Sequence, residues 1–410
     1  MTTFSYFTLD NGLRAVHMHE PGSATGYFGT AVRAGSRDED DANAGLAHFV
    51  EHTIFKGTDR RTSWHIINRM EAVGGELNAF TTKEDTVVYT AFARGNLTRA
   101  VELIADLVRD SRFPDKELNK EREVVKDEID SYLDQPAEAV YDDFEDLLFK
   151  GTSLGHNILG NTSTLETFDS SRCRGWLRHF YRPDNMVAFY AGSVGLETFR
   201  RTLERYFGDM PSTVVSDTVN KIDLSDFRPF VKRKTISSHQ SNVVMGAPLP
   251  AMDMNERMVL AMLSNILGGP GMNSRLNIQL RERRGLVYTV EASSTFFTDC
   301  GEFTVYFGCD PEDEALCTEL VKKEIKRMAD TPLTDRQLSA AKKQYLGQLI
   351  LAEDNRENRA ISTARATLMR GRAMTSDEVT ACVNAVTAEA IAQAATNIYD
   401  RLSVLTLSPV

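Results

Sequence analysis

Apolar positions along the chain change period repeatedly, and those changes mark its elements. Phe7-Thr8-Leu9-Asp10-Asn11-Gly12-Leu13-Arg14-Ala15-Val16-His17-Met18 alternates on either side of an Asn-Gly pair, which predicts strand, hairpin turn and strand. Residues 44–57 read as a short helix with Gly57 placed to end it. Ile66, Ile67, Met70 and Val73 recur at helical spacing, and Gly74-Gly75 breaks that helix. Residues 76–82 and 86–92 predict an antiparallel strand pair around Lys83-Glu84-Asp85, and a helix follows from 97 to about 109. The next helix opens at Pro114-Asp115, with Asp115 as its N-cap. On a helical wheel Leu118, Val125, Ile129 and Tyr132 form its apolar stripe, with Val124 at one margin. Residues 186–190 read as a buried strand.

The order of elements then recurs. Residues 211–227 are polar and poorly periodic, as a linker would be. Beyond them a helix ends near Arg284-Gly285, as an earlier one ends near Gly74-Gly75. Strands at 286–293 and 303–307 and a helix at 312–328 follow, matching the strand pair and helix of the first half. The expectation is an α+β chain of two homologous domains, residues 1–210 and 228–410, each an antiparallel-rich β-sheet packed with helices. A length of 410 residues suits two cores of about 200 residues each.

Composition narrows the classes. Hydrophobic content of 42% and charged content of 26% are those of a soluble globular protein, and no apolar run approaches the roughly 20 residues that span a bilayer. Met1-Thr2-Thr3-Phe4-Ser5 has neither a basic start nor an apolar core, so no signal or transit peptide is expected, although a trimmed mature form would read the same. Five scattered cysteines with no C-x-x-C pair suit a reducing compartment, and a cytoplasmic location is expected. Cys309 and Cys317 are weak ligand candidates and read better as small buried hydrophobes. A net charge of −11 disfavours nucleic acid and anionic membranes as partners and permits cationic substrates.

The chemistry concentrates in Ala44-Gly45-Leu46-Ala47-His48-Phe49-Val50-Glu51-His52-Thr53. His48 and His52 lie one turn apart on one helical face, with Glu51 projecting beside them. Two such imidazoles can grip one divalent metal, and the carboxylate can take a proton from a bound water. The spacing is H-x-x-E-H, the reverse of H-E-x-x-H. On the helix that opens at 114, Glu121 and Glu128 fall inside the apolar stripe, where a carboxylate is costly unless paired or metal-bound. Glu128 would complete a His-His-Glu set and leave a fourth position for water. Glu117 leans the same way but sits in the first turn, where the helix dipole favours an acid anyway. His17 and His19 alternate with apolar neighbours and are expected to face outward, while His156 and His179 read as loop and packing residues. The second half carries no His or Glu pair at the corresponding place. It has instead Arg281-Glu282-Arg283-Arg284-Gly285-Leu286-Val287-Tyr288, whose Arg and Tyr at a helix-to-strand junction could donate hydrogen bonds to a developing oxyanion.

Taken together, these motifs resemble those of the M16 metallopeptidases, the inverzincin family. The match rests on His48-x-x-Glu51-His52, on Glu128 placed 76 positions after His52, on Gly74-Gly75-Glu76-Leu77-Asn78-Ala79-Phe80-Thr81, and on the Arg281 to Tyr288 segment. The resemblance implies that His48, His52 and Glu128 bind one Zn²⁺ per chain, that Glu51 is the general base, and that Glu121 supports the site from behind. It implies further that Arg281 and Tyr288 bind the substrate carbonyl, and that Asn78, Ala79 and Phe80 pair with an extended peptide by β-addition. The length is similar to that of the shorter branch, in which one chain forms half of a clamshell. An endopeptidase acting on unfolded peptides, working as a homodimer or with a related partner chain, is the expectation. Its rival is a non-catalytic assembly subunit of the same fold.

Overall fold

The computed structural model describes residues 2–212 and 221–410, so the expected linker at 211–227 lies partly outside the described residues. The described chain separates into two compact units that do not follow its two halves. Residues 2–131, 151–212 and 352–373 build the first, and 132–150, 221–351 and 374–410 build the second.

The first half runs β1 (Thr3–Thr8), β2 (Arg14–His19), β3 (Thr25–Val32), α1 (Leu46–Thr53), α2 (Ser63–Glu71), β4 (Glu76–Thr81), β5 (Thr86–Ala93), α3 (Leu97–Asp110) and α4 (Asp115–Leu133). It continues through α5 (Pro136–Leu148), α6 (Thr162–Leu165), α7 (Ser170–Phe180), β6 (Met186–Gly192) and α8 (Leu196–Phe207). Then come β7 (Val231–Ile236), β8 (Ser241–Pro250), α9 (Met254–Gly268), a π-helical segment (Asn277–Glu282), β9 (Val287–Phe296), β10 (Cys300–Cys309) and α10 (Glu314–Asp330). The last elements are α11 (Asp335–Glu353), α12 (Arg356–Arg370), α13 (Ser376–Ala385), α14 (Ala388–Asp400) and β11 (Ser403–Pro409).

The first sheet has the order β1-β2-β6-β3-β5-β4 and the second β7-β11-β8-β10-β9. Taking β2 with β7, β6 with β11 and so on, the second order repeats the first without a counterpart of β1. Among the described residues each sheet is mixed, with a single parallel pair, β2 with β6 and β7 with β11. The α+β class and the internal repeat therefore stand in the strand order itself.

Both faces of the first sheet are covered. One carries the main core with α1, α3, α7 and α8, including Phe28, Phe49, Leu103 and Phe207. The other is covered by α12, whose Ala360, Ala364 and Leu368 pack on Val16, Met18, Ala31, Val187 and Phe189. Small residues on α12 let its backbone lie close to the sheet, and burying one Leu side chain contributes about 2 kcal/mol. On the second sheet α5 takes the equivalent place, and a Cβ on Gly246 of β8 would come within 3.0 Å of the Phe144 ring.

Double coverage corrects the expectation for His17. It is 1% exposed, its Nε2 lies 2.8 Å from the Val194 carbonyl, and its ring stacks on Tyr190 and Phe199. Alternation separates the two faces of a strand but says nothing of which is wet when helices cover both. A second correction concerns α1, which ends at Thr53 rather than at Gly57. Gly57 instead pairs with Thr62 in an isolated bridge at φ +154°.

Candidate metal centre

Helix α1 begins at a tight crossing of two loops. Gly45 adopts φ +93°, and a Cβ there would come within 2.7 Å of the Leu159 carbonyl. With glycine as N-cap, no side chain at that position can accept the first backbone N–H groups. Glu39 does so from outside, its carboxylate accepting from Gly45 N at 2.8 Å and Ala47 N at 2.7 Å. Burial pushes the Glu39 carboxyl up to about 8, against the two backbone donors that pull it down. Leu46, Phe49 and Val50 anchor the helix in the core, so its polar side is fixed in direction.

That side carries His48, Glu51 and His52. Nε2 of His48 and Nε2 of His52 lie 3.8 and 3.3 Å from Glu128 Oε2, which α4 delivers from its partly buried face. One ligand atom from each of the three residues falls within 4.8 Å of the others. Tetrahedral ligands at zinc bond lengths are separated by about 3.3–3.5 Å, so this donor set fits such an ion. Burial, and then the charge of His52, push His48 down to about 3, which keeps the ring neutral and able to coordinate. Burial also lowers His52, but the hydrogen bond to Glu121 and the charges of Glu51, Glu128 and Glu121 outweigh it and raise this ring above its usual value.

Glu121 stands behind the cluster. Its Oε1 lies 3.1 Å from His52 Nδ1 and its Oε2 2.6 Å from Lys56 Nζ. Burial alone would raise its carboxyl, yet those two partners hold it below its usual value. A carboxylate on Nδ1 fixes the His52 tautomer that leaves Nε2 free to bind a metal. Glu51 accepts from Thr81 Oγ1 at 3.3 Å, and burial raises its carboxyl. The buried Tyr181 hydroxyl is also raised, by burial first and then by the charge of Glu51.

Asn78, Ala79 and Phe80 lie in β4, which among the described residues pairs only with β5 and forms an edge of the first sheet. Leu77 and Ala79 face the main core, while Phe80 packs on the α12 side with its ring 6.5 Å from that of Tyr89. Arg281 and Tyr288 belong to the second unit. Arg281 lies in the last turn of the π-helical segment, and Tyr288 is the second residue of the edge strand β9, with 83% exposure. Glu117 forms an ion pair with Lys120 at the surface, and His156 lies 3.0 Å from Asp41. Lys56, Glu39 and Thr81 are the residues that periodicity did not single out. A glycine at the N-cap position was the one available sign that a distant acid would be needed.

A mixed six-stranded sheet with a His-His-Glu cluster on one helix pair, followed by a second unit whose five-stranded sheet repeats the strand order without the cluster, is the architecture of a family of metallopeptidases. The chain belongs to that family, M16. The family model for insulinase (peptidase family M16) matches residues 14–162, and that for the peptidase M16 inactive domain matches residues 168–345. An uncharacterized zinc protease of Streptomyces coelicolor is 31% identical over 96% of this chain and 87% of its own length. A Bacillus subtilis protein of the same description is 30% identical over 94% and 93%. Among solved structures, a protease from Helicobacter pylori superposes with a TM-score of 0.92 at 20% identity, covering 100% of both chains. A peptidase M16 inactive domain from Pseudomonas fluorescens gives 0.89 at 16% identity, over 100% of this chain and 98% of that one. No helix among the described residues is long and apolar enough to cross a membrane.

Proposed function

We propose that this chain is a zinc-dependent endopeptidase of unfolded or extended peptides, with one Zn²⁺ held by His48, His52 and Glu128. The observation that carries the reading is Glu51, a carboxylate on the same helix face as a converging His-His-Glu set. A structural metal site has no use for a base in that place. Zinc bound there would supply Lewis-acid polarisation of a water and of the scissile carbonyl. Glu51 takes the proton of the attacking water and delivers it to the leaving amine. Glu121 orients His52, and the edge strand at Asn78, Ala79 and Phe80 receives the peptide backbone. Arg281 and Tyr288 are proposed as donors to the substrate carbonyl, as the family resemblance implies. The acidic chain suits substrates with basic residues, and we propose that it works in the cytoplasm as a homodimer.

The test is cleavage of a quenched, unstructured basic peptide by wild type and by Glu51→Gln, with bound zinc assayed in both. Activity in the wild type, lost in a variant that keeps its zinc, supports the reading. Two zinc-loaded proteins that both cut nothing would favour a non-catalytic subunit, or one that needs a related partner chain.

A further inference from the structure

Glu51 is held from outside its own helix. Thr81, the last residue of β4, places its hydroxyl 3.3 Å from Glu51 Oε2 and 3.3 Å from the hydroxyl of Thr86. Thr86 donates its single hydrogen to the Ala34 carbonyl at 2.8 Å. Between the two threonines, then, Thr86 is the acceptor and Thr81 owns the hydrogen that can be directed. That hydrogen has a neutral oxygen and a carboxylate within reach, and the charge-assisted bond to Glu51 is the stronger.

The position of Thr81 is tightly set. It pairs in register with Thr86 on β5, and the two flank the turn at 82–85. Each charged side chain of that turn is buried and tied to a different element. Lys83 Nζ donates to the His156 carbonyl at 2.5 Å, Glu84 meets Arg37 at 2.7 Å, and Asp85 takes both arms of Arg365 at 2.7 Å. Strand end, turn and hydroxyl are therefore one rigid piece.

We propose that Thr81 is a positioning residue for Glu51. Its hydroxyl fixes one carboxylate oxygen and leaves the other for the attacking water. Because Thr81 ends the strand proposed to receive the peptide, one strand both seats the substrate and aims the base. This inference rests on the endopeptidase reading.

The experiment compares wild type, Thr81→Val and Thr81→Ser. The readouts are kcat and KM on the quenched peptide, zinc content, and binding of the labelled peptide to zinc-depleted protein by fluorescence anisotropy. Valine keeps the shape of threonine and removes the donor. The expected result for Thr81→Val is a fall in kcat of about tenfold or more, with KM, zinc content and peptide binding within about twofold of wild type. Thr81→Ser is expected to stay within about threefold of wild type in kcat, because it restores the donor. Full kcat in Thr81→Val overturns the inference alone, as does a serine variant as impaired as the valine one. Loss of zinc or of peptide binding in Thr81→Val assigns Thr81 a structural role and also overturns it. A wild type that cuts no peptide, alone or with a related partner chain, removes the endopeptidase reading, and this inference with it.

Discussion

At the scale of single residues, the helix that carries the candidate metal centre depends on an acid outside that centre. Glu39 completes the N-terminus of α1 through two backbone N–H groups, and its folded-state carboxyl sits at about 8 against 4.5 as a free side chain. Between those values the folded protein holds a proton that the unfolded chain has released. Stability contributed by this group is therefore full below about pH 4.5 and declines as pH rises toward 8. Glu39→Gln abolishes that titration and turns an amide donor toward N–H groups that need an acceptor. Urea denaturation at several pH values should find the variant less stable throughout. The gap to wild type should be largest near pH 5 and close by at most about 1.4 kcal/mol per pH unit toward pH 8. A gap that does not close between pH 5 and pH 8 would show that Glu39 is ionised in the folded protein throughout. Much of the site was nonetheless open to reading from the sequence. His48, Glu51 and His52 declare themselves by helical spacing, and Glu128 and Glu121 by standing in an apolar stripe. Glu39 and Lys56 do not, because what they touch is set by loop crossings that no period encodes.

At the scale of elements, the turn between β4 and β5 departs most from its sequence. Lys83-Glu84-Asp85 looks like an exposed hairpin tip, yet all three are buried, Asp85 at 0% exposure. The local signal for a turn was sound, and its solvation was not knowable without the partners. Those partners are Arg37, His156 and Arg365, the last 280 positions away. Removing one member of such a pair strands the other, so Asp85→Asn or Arg365→Met should each cost about 3 kcal/mol. The partial exposure of the Arg365 side chain holds the figure at the low end of the range for buried pairs. Asp85→Asn combined with Arg365→Met should cost clearly less than the sum of the single changes in chemical denaturation. Simple additivity would mean that the two side chains stabilise independently.

At the scale of the molecule, the halves of the sequence and the units of the structure are different things. The repeat was legible because strand order and helix order recur, but the exchange of α5 and α12 was not. Each of those helices has an ordinary amphipathic pattern that fits either sheet. A fragment of residues 1–210 expressed alone lacks α12 and leaves Val16, Met18, Ala31, Val187 and Phe189 uncovered. It should aggregate, and co-expression with residues 221–410 should restore soluble protein that copurifies with zinc. A soluble, monomeric, zinc-loaded fragment would show that the sheet closes without its helix.

The same exchange orders events on the ribosome. Arg14 donates to the carbonyls of Thr367 and Leu368, more than 350 positions later in the chain. While the polypeptide is being made, the half that carries the His-His-Glu cluster stays open on one side until about nine-tenths of the chain has been translated. Folding from the N-terminus domain by domain, the usual course for chains of this size, is closed to it. The nascent protein carries an apolar sheet face through most of its synthesis, and a holding chaperone would find its longest-lived target there.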